Sequence, residues 1–284
     1  MGELAGHGAA VTAGSGWPED PASPATPVAR SAPEVRSLAA GSHSIDDLAA
    51  MESVCRACPR LVEWREQVAA QKRRSFQAET YWGRPVPSWG ARRARVLILG
   101  LAPAAHGGNR TGRIFTGDRS GDALFASLWR SGLATQPTSR AAGDGQRLVG
   151  TRVTAAVHCA PPANRPTISE RDTCGTWLAA ELAVLRPQLR VIVCLGHFAW
   201  QALWPQLATA GFPVPRPRPP FGHRAEASLA DHPAPGGRVG HGQITVLGCY
   251  HPSQQNTFTG KVTDVMLDAV FGRAAELAGL RQPH

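Results

Sequence analysis

The chain has 284 residues, 43% hydrophobic and 18% charged, enough apolar content for a sizeable core, which excludes wholesale disorder. No apolar run approaches the roughly 18–20 residues that span a bilayer, and no basic stretch followed by an apolar one marks a secretion signal. The formal charge is +9; residues 1–45 hold −2 of it, leaving +11 on the rest, a balance that favours a polyanionic partner, nucleic acid first. Charge alone does not decide this. All but two of the 30 basic residues are arginine, the exceptions being Lys72 and Lys261, as codon bias would also produce.

Residues 1–44 are dense in Ala, Gly, Ser and Pro without a hydrophobic period, so a disordered tail is predicted there. Order is expected to begin at Ser44, which can cap a helix through Leu48, Met51 and Val54. Four short apolar runs follow: RVLILG (95–100), TRVTAAVH (151–158), VIVCLG (191–196) and ITVLGCY (244–250). Each has the form of a strand covered on both faces. Between them, Ser120 can cap a helix through Leu124, Phe125 and Leu128. Ser169 with Asp172 resembles a shortened capping box before Trp177, Leu178, Leu182 and Leu185, and Pro187 stops that helix. Segments 197–207 and 260–280 are helical in period. Residues 211–243, rich in Pro, Gly, Arg and His, form an irregular excursion. The alternation predicts one α/β domain over 45–284, a mainly parallel four-stranded sheet flanked by helices.

In open α/β sheets, ligands bind beyond the carboxyl ends of the strands. The post-strand loops are 101–119, 159–168 and 251–259, and each holds one of the chain's three asparagines: Asn109, Asn164 and Asn256. The first loop, GLAPAAHGGNRTGRIFTGD, imitates a P-loop through Gly107 and Gly112. A P-loop then requires Lys and Ser/Thr, whereas Arg113 and Ile114 follow, so that reading fails. What remains is a Gly-rich loop bearing one aromatic, Phe115, and one carboxylate, Asp118. Asp118 could equally serve as a simple helix N-terminal charge. The second loop, CAPPANRPTIS, is stiffened by prolines around Asn164. In the third, CYHPSQQNT, His251 directly follows a buried strand.

Six cysteines divide into two classes. Cys194 and Cys249 lie inside apolar strands and read as small buried hydrophobes. Cys55 and Cys58 form a CxxC, and Cys159 and Cys174 bracket the second loop. Four thiolates in two pairs suit structural zinc or an iron–sulfur cluster, and spacing does not separate the two. Unligated structural cysteines are the plainer alternative.

The three loop motifs in order, with this cysteine frame, resemble the uracil-DNA glycosylase superfamily over roughly residues 45–280. They are most similar to its type-five branch, whose members carry an iron–sulfur cluster as the type-four enzymes do. The resemblance implies a three-layer α/β/α fold and a monofunctional DNA glycosylase of base-excision repair acting on uracil-containing DNA. It implies a [4Fe–4S] cluster on Cys55, Cys58, Cys159 and Cys174. Gly100, Leu101, Ala102, Pro103 and Ala104 would floor the base pocket, and Phe115 would stack on the extruded base. Asp118 and Asn164 would hold and activate water, and His251 would donate to the leaving base. Ser253, Gln254, Gln255 and Asn256 would enter the DNA, while Arg110, Arg113 and Arg165 would hold phosphates.

Two departures qualify that reading. Other branches place an acidic residue near positions 101–102, where this chain has Leu101 and Ala102. Type-four enzymes read the base with an asparagine where Thr154-Ala155-Ala156 stands here. A broader substrate range is therefore expected, extending to hypoxanthine and xanthine. A monomer in the bacterial cytoplasm, on the nucleoid, is the expected setting. Two other classes compete: a non-catalytic iron–sulfur nucleic-acid-binding regulator, which would need a basic reading helix, and a zinc base deaminase, whose H-x-E and P-C-x-x-C are missing.

Overall fold

The computed structural model describes residues 10–229 and 243–280. In chain order the elements are α1 (Ala32–Ala40), α2 (Ile45–Ser53), α3 (Pro59–Gln71), β1 (Trp89–Gly90), β2 (Val96–Gly100), α4 (Gly108–Thr111), α5 (Arg119–Arg130), β3 (Thr151–Ala155) and α6 (Ile168–Leu185). Then come β4 (Val191–Leu195), α7 (His197–Thr209), β5 (Glu226–Leu229), β6 (Ile244–Cys249), α8 (Gln254–Phe258) and α9 (Asp264–Leu277). The strands form one sheet in the order β1-β3-β2-β4-β6-β5. Its four inner strands are parallel and correspond to the four apolar runs; β1 and β5 add antiparallel rims. The sheet thus has six strands where four are predicted.

Strand periodicity explains the layers. Val96, Ile98, Val191, Val193 and Leu247 face α5 and α9 through Leu124, Phe125, Leu128, Leu267 and Phe271. Leu97, Leu99, Ile192, Cys194 and Val246 face the other way, onto Leu178, Leu182, Trp200 and Leu203 of α6 and α7. Each such side chain contributes about 1.5–3 kcal/mol by leaving water, so both faces must be covered. This is the expected α/β/α sandwich, with the carboxyl ends of β2, β3 and β6 at one edge of the sheet.

Three local expectations need correcting. Residues 10–44, predicted to be a disordered tail, are folded onto the body. Ser31 caps α1, whose Val35 and Ala39 pack against Trp177 of α6. Trp17 packs at a tilt on Trp82, Asp20 pairs with buried Arg84 at 2.6 Å, and Glu19 pairs with buried Arg113 at 2.8 Å. The segment is held by paired charge, by the Trp17 indole and by the small apolar cluster that Ala29, Val35 and Ala39 form with Trp177, contacts too sparse along the chain for composition to reveal. Residues 1–9 lie outside the described residues. Second, the 211–243 excursion contains strand β5; its residues 230–242 lie outside the description. Third, the cap of α5 is Asp118 rather than Ser120, and the capping box of α6 is Thr167 with Glu170 rather than Ser169 with Asp172. Ser44 does cap α2. No described helix is long and apolar enough to cross a membrane.

Candidate active site

The first loop leaves β2 at Gly100, and two glycines make room for one aromatic. A Cβ on Gly100 would stand 2.7 Å from the Phe115 ring, and a Cβ on Gly121 would strike the Phe115 carbonyl. Phe115 itself sits at φ 55°, in the left-handed region that side chains rarely adopt. Its ring lies against the His251 imidazole, centroids 5.8 Å apart at 38°. First and third loops therefore meet face to face. The floor is tied to the neighbouring strand by Ala156 and Val157, whose N–H groups donate to the carbonyls of Gly100 and Leu101. Pro103 is buried, while Leu101, Ala102 and Ala104 are half-buried.

Asp118 divides its oxygens between two tasks. Oδ1 accepts the Gly121 N–H at 2.9 Å and caps α5. Oδ2 occupies the space beside Gly107, where a Cβ would collide with it. Burial raises the carboxyl above its ordinary value, against the lowering effect of the Gly121 and Ser120 N–H groups and of Arg110. A half-buried carboxylate with one oxygen free of hydrogen bonds among the described residues is poised to take a proton or orient a water. Gly107→Ala is expected to cut turnover by about 100-fold through displacement of that oxygen. Single-turnover kinetics checks this; unchanged rates would mean that Oδ2 is not used.

His251 is neutral. Burial pulls its pKa down to about 4, and its Nδ1 is buried without a partner among the described residues. Its carbonyl accepts the Asn256 side chain at 2.9 Å, so Asn256 braces the histidine from behind. Ser253 caps the short α8 by accepting the Asn256 N–H. Gln254 and Gln255 are exposed on it. One residue here escapes sequence reasoning: Phe258, 85% exposed at the end of α8. A lone aromatic in a polar run was its only signal. Asn164 follows Ala163 in the left-handed region, at φ 55° and 52° respectively, and is exposed. Among the described residues, no hydrogen bond joins its side chain to Asp118 or His251.

Two of the proposed phosphate-binding arginines are not free for that task. Arg113 is buried, paired to Glu19 and Asp144 and stacked over Trp89. Arg110 pairs with Glu79, donates to the His106 and Gly117 carbonyls, and lies over Phe76. Both hold the first loop in shape. Sequence cannot reveal this, because the partners lie up to 94 residues away. Arg165 is exposed and its side chain forms no ion pair among the described residues.

Cys55, Cys58, Cys159 and Cys174 line one small cavity of about 20 Å³, whose walls also include Val35 of α1 and Trp177. Among the described residues no three His, Cys, Asp or Glu side chains are arranged to hold a single metal ion. The surroundings nevertheless suit anionic sulfur. Arg65 is buried and donates to Cys159 Sγ at 2.9 Å, and the His158 N–H donates to Cys174 Sγ at 3.3 Å. Burial, with Cys159 as a neighbouring charge, pushes the Cys55 thiol to about 11 and Cys58 to about 12. Four such sulfurs ionise together only if a cation compensates them. Cys194 and Cys249 are buried in β4 and β6, as their sequence setting predicts.

The sequence model described as the uracil DNA glycosylase superfamily matches residues 87–274. A protein of Mycobacterium tuberculosis (strain CDC 1551 / Oshkosh), named a type-5 uracil-DNA glycosylase, is 55% identical over 270 residues, 95% of each chain. A type-5 uracil-DNA glycosylase of Thermus thermophilus is 47% identical over 228 residues, 80% of this chain and 95% of its own. A type-4 uracil-DNA glycosylase of Archaeoglobus fulgidus is 33% identical over 42% of this chain and 52% of its own.

Proposed function

This chain belongs to the uracil DNA glycosylase superfamily, within its type-5 branch, and on that premise we propose that it is a hydrolase releasing uracil from DNA. We extend the proposal to other deaminated bases, hypoxanthine and xanthine, and to the opening step of base-excision repair. One observation carries the reading: a half-buried carboxylate, Asp118, sits three residues from an aromatic ring that lies against a neutral, half-buried histidine.

The chemistry requires those three groups. A target base inside a duplex must be extruded before anything can reach its glycosidic bond. The Phe115 ring offers a stacking face worth about 1–3 kcal/mol. As the bond breaks, the sugar gains cationic character and the base becomes an anion. Asp118 faces the cation and accepts a proton from the attacking water; Asn164, on the stiff second loop, helps to hold that water. His251 donates a hydrogen bond from its neutral imidazole N–H to the developing base anion. The wider range follows from the stretch 154–156. Thr154 accepts the Ser88 hydroxyl at 2.7 Å, and Ala155 and Ala156 carry only methyl groups. None of them offers an amide to read uracil's edge.

A [4Fe–4S] cluster on Cys55, Cys58, Cys159 and Cys174 is part of the proposal, supported by the shared cavity and by the N–H donors facing sulfur. When bound it would supply a rigid cross-link between the α2–α3 junction and the second loop, with no electron transfer in the reaction. Ala102 of the pocket floor packs, as Cys58 and Cys174 do, on the cluster of Leu61, Val157 and Cys159, so the brace would reach the pocket floor.

Duplex and single-stranded oligonucleotides carrying one uracil, hypoxanthine or xanthine should become alkali-labile on incubation with the protein. Release of uracil alone would narrow the substrate range. Intact oligonucleotides in every case would end the glycosylase reading.

A further inference from the structure

A glycosylase must grip the backbone beside the nucleotide it extrudes, yet Arg110 and Arg113 are occupied internally. Against the same loop lies the turn Lys72-Arg73-Arg74, at the end of α3. Lys72, at φ 52°, turns the chain out of the helix, and a short 3-10 turn covers Arg74–Phe76. Arg73 and Arg74 are exposed. None of the three cations forms an ion pair among the described residues.

The turn is fastened to the site at several points. Tyr81 OH meets His106 Nδ1 at 3.0 Å and accepts the Arg73 N–H at 3.5 Å. Phe76 and Ala105 pack on one small cluster formed by Val68, Ala69 and Tyr81. The Arg110 guanidinium lies 4.0 Å over the Phe76 ring, pairs with Glu79, and donates to the Gly117 carbonyl. Gly117 is the residue before Asp118. A chain of direct contacts thus runs from the basic turn through Phe76 and Arg110 to the carboxylate. The Arg73 charge also reaches the site loop, lowering the His106 pKa after burial and together with Arg110.

We propose that the Lys72–Arg74 turn is a phosphate clamp: Arg73 and Arg74 hold DNA backbone phosphates next to the extruded nucleotide, and Arg110 positions the turn. The inference rests on the glycosylase reading and adds a binding surface to it. A plain solvated charge run would not need the pinning of the turn by Phe76, Arg110 and Glu79. Arg73 and Arg74 supply charge at a set distance from the reacting centre, independent of base sequence.

The test compares R73A/R74A with R93A/R147A, which removes the same charge from exposed positions at the amino ends of β2 and β3, the opposite edge of the sheet. Binding to a duplex with one tetrahydrofuran abasic site is titrated against salt, and uracil release by the wild-type protein is measured in parallel. R73A/R74A should bind about tenfold or more weakly at ~0.1 M salt, and its log Kd against log salt slope should be shallower by about 1.8, roughly 0.9 per lost contact. R73K/R74K should keep the wild-type slope, which separates lost charge from lost fold. An active wild type with R73A/R74A indistinguishable from R93A/R147A would overturn the clamp alone. A wild type that releases no uracil would instead overturn the reading on which it rests.

Discussion

Asp118→Asn is expected to slow uracil release by about 10²–10⁴-fold, the range for losing a positioned general base, while leaving the melting temperature unchanged or slightly higher. The substitution separates the two tasks of this side chain. Asn is as good a helix cap as Asp, so the bond to the Gly121 N–H survives and only the ionisable oxygen is lost. Asp118→Ala removes both, and should add a stability loss of about 1 kcal/mol, some 2–4 °C for a chain of this size. The pH dependence has a definite sign. Burial raises the folded pKa of Asp118 above 3.8, so its contribution to stability is present at low pH and lost as pH rises through the folded value. Activity moves oppositely, climbing as the carboxyl ionises. Its acid limb should therefore lie above the ordinary carboxylate value and vanish in Asp118→Asn. His251, at about 4, stays neutral from pH 5 upward and should give no inflection near 6.5. Its depressed value weakens the fold only as pH falls from 6.5 toward 4. If Asp118→Asn keeps more than about a tenth of wild-type turnover, the residue is a cap and nothing more.

Cys159→Ser is expected to abolish broad absorbance near ~400 nm, of the kind iron–sulfur ligation gives, and to lower the melting temperature by roughly 10 °C. The magnitude comes from Arg65. Its guanidinium is buried, with Nη1 on Cys159 Sγ and the Cys55 carbonyl and with Nε lacking a partner among the described residues. Glu66 Oε1, 3.8 Å from Nη2, is the carboxylate that remains to Arg65, so losing the buried sulfur partner costs up to about 3–5 kcal/mol, the range for breaking a buried pair. Cys194→Ala, in the apolar interior of β4, should keep the colour. Iron analysis and calorimetry on freshly purified protein check both. A colourless wild type with stoichiometric zinc would replace the cluster by zinc, and a colourless one without metal would leave four structural thiols.

The inner sheet was legible because four continuous apolar runs admit few other readings, and their ends shifted by no more than three residues. The rims were not. β1 has two residues, and β5 contains Glu226 and Ser228, which read as loop. Caps slipped by two positions because Ser120 and Ser169 are as plausible chemically as Asp118 and Thr167; the backbone turn decides between them. Phe115, Asp118 and His251 emerged because the loops after buried strands are few. The roles of Arg110 and Arg113 did not, since guanidinium charge looks the same whether it faces solvent or Glu19. Residues 10–44 escaped for that same reason: their attachment depends on partners that only the folded chain brings near.

The sheet rims also bear on self-association. Four inner strands buried on both faces would be sticky templates if any of them stood at an edge, presenting unpaired N–H and C=O groups to another copy. Instead one edge is closed by two residues, ending at Gly90, where φ is 116° and a Cβ would press to 2.6 Å on the Thr151 carbonyl. The other is closed by four residues that alternate exposed and buried, with Glu226 held by Arg273. Short, twisted or charged margins of this kind discourage strand-to-strand aggregation. Neither rim carries a residue of the proposed site, so copies crowded along one DNA molecule can stay apart without any compromise in the pocket.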